Sequence, residues 1–325
     1  MNVYDSPMNV VVLYFASGES LYAGAVLLLA AMAISPYLRH PSLLRLRSLA
    51  TWLALALIVM ACPPFAWVVD VISVAAFALW FFASNWSARG QIQSRLRVAA
   101  TVPLLILLLV LPAAEFRHRR KPAIVGAPSN HLVVIGDSIS AGIDPHVPAW
   151  PYLMQRATGV PVTNLARPGA LTSEGLSMAQ QVTPADRLVL LEIGGNDLLS
   201  GIPSKEFAQG LDAILSTLTV QGRTIVMFEL PLLPHRIAYG RIQRRLAEKY
   251  GVWLIPKRYL IDVIGRRDAT TDGLHLSSSG ARHMASLVAD LLGPVLKIAG
   301  APRLTPTPSD PVSSLTNEDC QKRDG

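Results

Sequence analysis

Charge is scarce in this chain. Only 16% of its 325 residues are Asp, Glu, Lys or Arg, against 51% hydrophobic, which is too apolar for an ordinary soluble protein. The shortage is local. The apolar excess lies almost entirely before residue 115, and the remainder of the chain has the composition of a globular domain with a polar tail. Cysteine is nearly absent too. Cys62 lies in an apolar run and Cys320 in the tail, so no disulfide is expected. No Cys/His cluster has metal-ligand spacing, so neither metal nor other cofactor is expected. The net charge is +7, but many arginines flank the apolar runs, as residues that anchor helices at a membrane surface do. The globular part has no basic face interleaved with aromatics, so nucleic acid is not expected as a partner. A positively charged start is missing as well, so the N-terminus is not expected to be a cleavable signal peptide.

What is present before residue 117 reads as membrane helices. A span needs ~20 mostly apolar residues. Residues 21–38 supply one candidate. Residues 49–82 are apolar but contain Pro63, Pro64 and Asp70. As one helix they would run about 50 Å, too long for a ~30 Å hydrocarbon core, and proline breaks helices. A tight hairpin with spans near 47–63 and 65–83 is expected instead. Residues 98–114 make the fourth span, with Pro103 in its first turns. The organisation expected is therefore about four helices over 1–116, a linker over 117–130, a catalytic domain over 131–297 and a disordered tail over 298–325. The loops carrying Arg39, Arg45 and Arg47 and Arg89, Arg95 and Arg97 share one side in this layout. Lys/Arg bias makes that side cytoplasmic. The expectation is a multi-pass protein of a bacterial-type inner membrane, its catalytic domain outside the cytoplasm. Arg117, Arg119, Arg120 and Lys121, on the other side, run against this bias. The acids Glu19 and Asp70 sit near span ends, where interfacial placement is expected.

From residue 131 the pattern changes. Short β-branched runs at 132–135, 161–165, 188–193, 224–229 and 252–255 alternate with amphipathic segments near 148–158, 171–181, 205–221, 236–250 and 278–294. Continuous apolar runs fit strands buried on both faces. Strand–helix alternation implies a parallel sheet in a three-layer α/β/α domain. Ligands bind such sheets at the strands' carboxyl ends, and there the polar residues gather: Gly136-Asp137-Ser138, Asn164 to Gly169, Gly194-Gly195-Asn196-Asp197, and later Asp272-Gly273-Leu274-His275.

Each block alone has an ordinary explanation. Gly-Asp-Ser also occurs as a turn with a helix cap, Asp272 could cap the last helix, and Asn196 could cap a loop. Together they supply each role of a serine hydrolase once. Ser138 is the hydroxyl, His275 a base for it, and Asp272 is three residues from that base and able to fix its tautomer. The Ser138 amide, the Gly169 amide and the Asn196 side chain are candidate oxyanion donors. Asp197 is expected to fix its loop, Arg167 and Trp150 to be pocket, surface or core residues, and Arg236, Arg241, Arg244 and Arg245 to form a solvated helix face.

These four blocks resemble those of the SGNH/GDSL hydrolases, over about residues 131–294. Phrases such as VVIGDSISAG, AWPYLM and LLEIGGNDLL are similar to the small bacterial acyl-esterase, thioesterase and lysophospholipase branch. The resemblance implies a flavodoxin-like α/β/α fold and metal-free ester hydrolysis. Ser138 would be nucleophile, His275 base and Asp272 its orienter, with Ser138, Gly169 and Asn196 lining the oxyanion hole. Ile139 stands where Leu is commoner. The membrane half has no counterpart in that soluble branch. The expected activity is a membrane-anchored serine esterase acting on a lipid or acylated-glycan ester. The alternatives are an acyl or acetyl transferase, or an O-acetylesterase, acting on a cell-envelope polysaccharide, and a non-catalytic membrane protein with a degenerate hydrolase domain.

Overall fold

A computed structural model describes residues 7–37, 40–85, 91–232 and 236–297. The tail with Cys320, the charged residues Arg39 and Arg89, and His235 lie outside the described residues.

Five helices come first: α1 (Pro7–Ala16), α2 (Ser20–Ile34), α3 (Pro41–Met60), α4 (Trp67–Asn85) and α5 (Gln91–Arg117). The two prolines at 63 and 64 do split the long apolar stretch, with α3 ending at Met60 and α4 starting at Trp67. Three of these helices, Pro41–Met60, Trp67–Ser84 and Arg95–Arg117, contain stretches long and apolar enough to cross a membrane. The first expected span is shorter than its apolar run. Helix α2 stops at Ile34 in a 3-10 turn through Pro36, because proline lacks an N–H and disfavours helical backbone just before it. Its 15 residues cover about 22 Å. Helix α1 has no counterpart among the expected spans. Pro103 does not fall in the first turns of the last span, because α5 begins at Gln91 and holds Pro103 and Pro112 in its interior. Arg45 and Arg47 sit near the start of α3, and Arg95 and Arg97 near the start of α5, so they gather at one end of the bundle. The other end, formed by the start of α2, the turn 61–66 and the end of α5, carries the second domain.

That domain is a parallel sheet of five strands in the order β2-β1-β3-β4-β5. The strands are β1 (Leu132–Gly136), β2 (Val162–Asn164), β3 (Leu188–Glu192), β4 (Thr224–Phe228) and β5 (Trp253–Ile255). The helices between and after them are α6 (Ser138–Ala141), α7 (Trp150–Thr158), α8 (Thr172–Ala179), α9 (Gly195–Ser200), α10 (Ser204–Leu218), α11 (Ile237–Tyr250), α12 (Lys257–Ile264) and α13 (Ser278–Leu292). Successive strand residues face opposite sides, so the strands feed two cores. Val133, Ile135, Val189, Leu191, Ile225 and Met227 pack against α8, α10 and α11. Leu132, Val134, Leu188, Leu190, Val226 and Phe228 pack against α7, α12 and α13. This is the three-layer α/β/α architecture of the expectation, preceded by an all-helical region.

The two parts meet over buried charge. Arg244 of α11 donates twice to the Glu115 carboxylate of α5, at 2.7 Å each, and once to Glu229, also at 2.7 Å. Arg241 donates to the Phe65 carbonyl and to Asp70. The arginine face of α11 is thus no uniformly solvated face: Arg241 and Arg244 turn into the junction, and Arg245 remains exposed. The basic residues after α5 are partly consumed in the same way. Arg119 pairs with Glu19 at 2.9 Å and Lys121 with Asp290 at 2.6 Å.

Candidate active site

In this strand order the chain reverses direction between β1 and β3, and a crevice opens there at the carboxyl ends. The blocks picked out in the sequence converge on it. Strand β1 ends at Gly136, where a Cβ would fall 2.8 Å from the Glu192 carbonyl and 2.9 Å from the Ser140 side chain. Glycine is required for β1 and β3 to approach this closely. Asp137 caps α6, its carboxylate accepting the Ile139 N–H at 3.0 Å. Ser138 therefore opens α6 just beyond the strand end, largely buried.

His275 reaches Ser138 from the far end of the domain. The two side chains line one small hollow with Ile139, Ile143, Val147, Trp150 and Leu276. Its volume of about 10 Å³ is room for about one water molecule. Three larger hollows among the described residues, of 460, 580 and 990 Å³, lie within the bundle or along its junction with the second domain. Asp272 folds back on His275. One carboxylate oxygen accepts the backbone N–H groups of Leu274 and His275, at 3.0 and 2.8 Å, and the other bonds ring Nδ1. Partial burial pushes the Asp272 carboxyl upward, but the His275 and Leu274 hydrogen bonds outweigh it and hold its pKa below the usual range. Asp272 is thus an anion fixed against Nδ1, which leaves Nε2 for the hollow. Among the described residues no hydrogen bond joins Ser138 Oγ to the ring, as is common in catalytic sites without substrate.

The third group arrives through α9. Its cap, Gly194, has φ +107°, and a Cβ there would sit 2.8 Å from Phe207, so only glycine makes this turn. Asn196 Nδ2 then donates to the Ala170 carbonyl at 3.2 Å and reaches Asp137 Oδ2 at 3.4 Å. Gly169 precedes Ala170 in a turn with φ +75°. Asn196 is thereby held between the neighbour of Ser138 and the neighbour of Gly169. Asp197 accepts the Thr172 N–H at 2.9 Å and its hydroxyl at 2.6 Å, tying α9 to α8. Trp150 is fully buried and donates to Ser140 Oγ at 3.2 Å, and Arg167 is exposed.

Two acids beneath the serine form a pair that the motifs do not reveal. The buried Asp137 and Glu192 carboxyls act on one another, and Ser140 Oγ donates to Glu192 at 2.9 Å. Burial raises Asp137 to about 6. Burial, and then the Asp137 charge, raise Glu192 well above the carboxylate range. Two buried carboxyls this close keep a proton between them. The one signal in the sequence is a glutamate closing an otherwise apolar strand.

The GDSL-like Lipase/Acylhydrolase family profile matches residues 134–283. An arylesterase of Vibrio mimicus is 33% identical over 183 residues, which cover 50% of this chain and 88% of that protein. Thioesterase 1/protease 1/lysophospholipase L1 of Escherichia coli K12 is 26% identical over 182 residues, 52% of this chain and 86% of the other. Among solved structures, a crystal structure of TesA is 26% identical and covers 51% of this chain and 99% of its own, with a TM-score of 0.45. The residues that the family profile matches hold the Gly-Asp-Ser turn and the Asp-Gly-Leu-His loop, and on the strength of that profile and the arylesterase relative the chain belongs to the GDSL-like lipase/acylhydrolase family and is an ester hydrolase.

Proposed function

We propose that this ester hydrolase is anchored in a membrane by its N-terminal helices and works through an acyl-enzyme on Ser138. Ser138 Oγ attacks the ester carbonyl while His275 Nε2 takes its proton. The new Oγ–C bond makes a tetrahedral oxyanion, which accepts hydrogen bonds from the Ser138 and Gly169 amides and from Asn196 Nδ2. Collapse breaks the C–O bond to the alcohol, and His275 gives its proton to that leaving oxygen. Water then attacks the acyl-enzyme by the same route, releasing the acid and restoring Ser138. Asp272 holds the imidazole in the required tautomer and stabilises the imidazolium. No metal or cofactor enters these steps.

The observation that carries this reading is the Asp272–His275 pair on the wall of the hollow that holds Ser138. The anchor has separate support. At most 17% of the apolar window of each of the three long helices is buried, so most of that surface needs a hydrocarbon solvent. With α3, α4 and α5 crossing, the arginines at the starts of α3 and α5 lie on the cytoplasmic side and the hydrolase domain outside. The domain layout in this reading is 1–116 in the membrane, 117–130 linking, and 131–297 catalytic. Ser138→Ala tests the chemistry. Turnover of a short p-nitrophenyl ester is expected to vanish with the fold intact, and unchanged turnover sinks the assignment.

A further inference from the structure

The turn between α3 and α4, the end of α5 and helix α11 enclose a hollow of 990 Å³. Pro64, Ile242 and Val252 give it an apolar part, and its charged or titratable lining is Arg117, His118, Arg241, Arg244, Arg245 and Glu248. Two of these arginines are already answered. Arg244 bonds Glu115 and Glu229, and Arg241 bonds Asp70. Arg117 and Arg245 are exposed and make no ion pair or side-chain hydrogen bond among the described residues. Glu248, the one acid in the lining, makes no ion pair among them either. Burial, and then the Arg244 charge, hold His118 below the usual histidine range, so it adds a ring N–H to the hollow but little charge.

The hollow lies where two apolar helices end. Arg117 is the last residue of α5, and Trp67 is the first of α4. Trp67 lines the hollow and is 67% exposed, with an apolar body and one N–H that suit the headgroup layer at a span end. Val71 and Val74 continue its face of α4 at helical spacing, and both are more than half exposed. An unpaired cationic site therefore opens directly onto an apolar stripe. The same site accounts for basic charge that runs against the Lys/Arg bias. Arg119 and Lys121 are paired within the protein, whereas Arg117 faces the hollow without a partner.

From this placement we propose that the hollow holds the headgroup of an anionic phospholipid, with Arg117 and Arg245 on its phosphate and its hydrocarbon along Trp67, Val71 and Val74. The inference rests on the membrane-anchor part of the proposed function, and it concerns a bound lipid, not the substrate of Ser138. The planar guanidinium fork matches two phosphate oxygens. A free anion would meet the arginines but leave the tryptophan and the stripe unused. A zwitterionic headgroup brings a cation of its own into a site with two unpaired arginines. Each arginine near a membrane surface is worth about fivefold in affinity for anionic lipid, so two give about thirtyfold.

The test uses the full chain in zwitterionic detergent and ether-linked phospholipids, which an esterase cannot cleave. Native mass spectrometry compares binding of phosphatidylglycerol with that of phosphatidylcholine. Phosphatidylglycerol is expected to bind about thirtyfold tighter. Arg117→Gln should lower that preference about fivefold, and Arg117→Gln with Arg245→Gln should nearly abolish it. Glu248→Gln, which removes the opposing acid, should strengthen it. Arg156→Gln, at an exposed arginine of α7, should leave it unchanged. Turnover of a short p-nitrophenyl ester is expected to be equal in all these variants, which shows that they are folded. Equal binding of the two lipids by the unmodified chain overturns the proposal, as does a full preference in the double variant. Displacement of the lipid by inorganic phosphate at equal concentration would make this a free-anion site and overturn it too. If the chain fails to float with phosphatidylcholine vesicles, the anchor reading falls and takes this inference with it.

Discussion

The two halves of this molecule hide apolar surface by opposite means. In the α/β/α domain, strands β1, β3 and β4 are buried along their whole length, and two layers of helices supply the cover. In the bundle, Val71, Val74, Phe82, Val98, Ile106 and Leu109 point outward, each more than half exposed. The first half is its own solvent, whereas the second borrows one. The contrast extends to polar groups. Within the sheet domain, acids are buried beside the Gly-Asp-Ser turn, as with Asp137 and Glu192. In the bundle the acids sit at the junction end, where Glu19, Asp70 and Glu115 each meet an arginine of the second half or its approach. The junction is thus where the bundle keeps its acids and the catalytic domain answers them.

The contrast is most vulnerable at the catalytic end. Ser138→Ala and His275→Ala are each expected to lower kcat by about 10³-fold or more, since triad members act as a unit. Circular dichroism should stay unchanged, and a loss of folded signal would place these residues in the structural half of the contrast. Asp272→Asn should cost nearly as much, because an amide cannot enforce the tautomer. Asn196→Ala should lower kcat by about 10²–10³-fold, the usual cost of one oxyanion donor, with little effect on KM. An effect on KM alone would make Asn196 a loop cap.

The junction should respond in stability and not in chemistry. Burial works against the Arg244 charge, but its hydrogen bonds to Glu115 and Glu229 outweigh that and hold its pKa above the usual value. Arg244→Ala leaves both acids buried without the guanidinium they bond, with only the Lys257 ammonium nearby, and removing one partner of a buried ion pair costs about 3–5 kcal/mol. Thermal unfolding in detergent should show it as a lower melting temperature, while kcat per folded molecule stays within about twofold.

The smallest effect concerns the acid pair. Asp137 has a folded pKa raised to about 6, so the native state holds a proton that the unfolded state releases nearer pH ~4. Stability from that proton is full below about pH 4 and is lost as pH rises to about 6. Glu192→Gln removes the second acid, which burial and the Asp137 charge hold well above the carboxylate range. Glu192→Gln is therefore expected to flatten the decline of melting temperature between about pH 4 and 7. An unchanged slope would show that the pair is not what titrates.

How far the sequence reveals this depends on where the partners are. The strands are legible because their apolar runs are continuous. The site blocks are legible because each falls just past a strand end, and their joint order is specific. Helices α6 and α9, of 4 and 6 residues, are too short to show a helical period, and α12 follows β5 with no loop to announce it. The fate of Arg244 is hidden for a different reason. Its partner Glu115 lies 129 residues away in another part of the fold, and nothing local distinguishes a paired arginine from a solvated one. Helix α2 ends early because one proline outweighs the hydropathy of its surroundings.

The proposed chemistry turns on Ser138 being a nucleophile activated by His275. A fluorophosphonate probe added to the intact chain, with mass spectrometry of its peptides, reads this without any substrate. A single adduct on Ser138 is expected, lost in His275→Ala and kept in Arg244→Ala. An unlabelled Ser138, or an adduct on another serine with esterase activity retained, would contradict it.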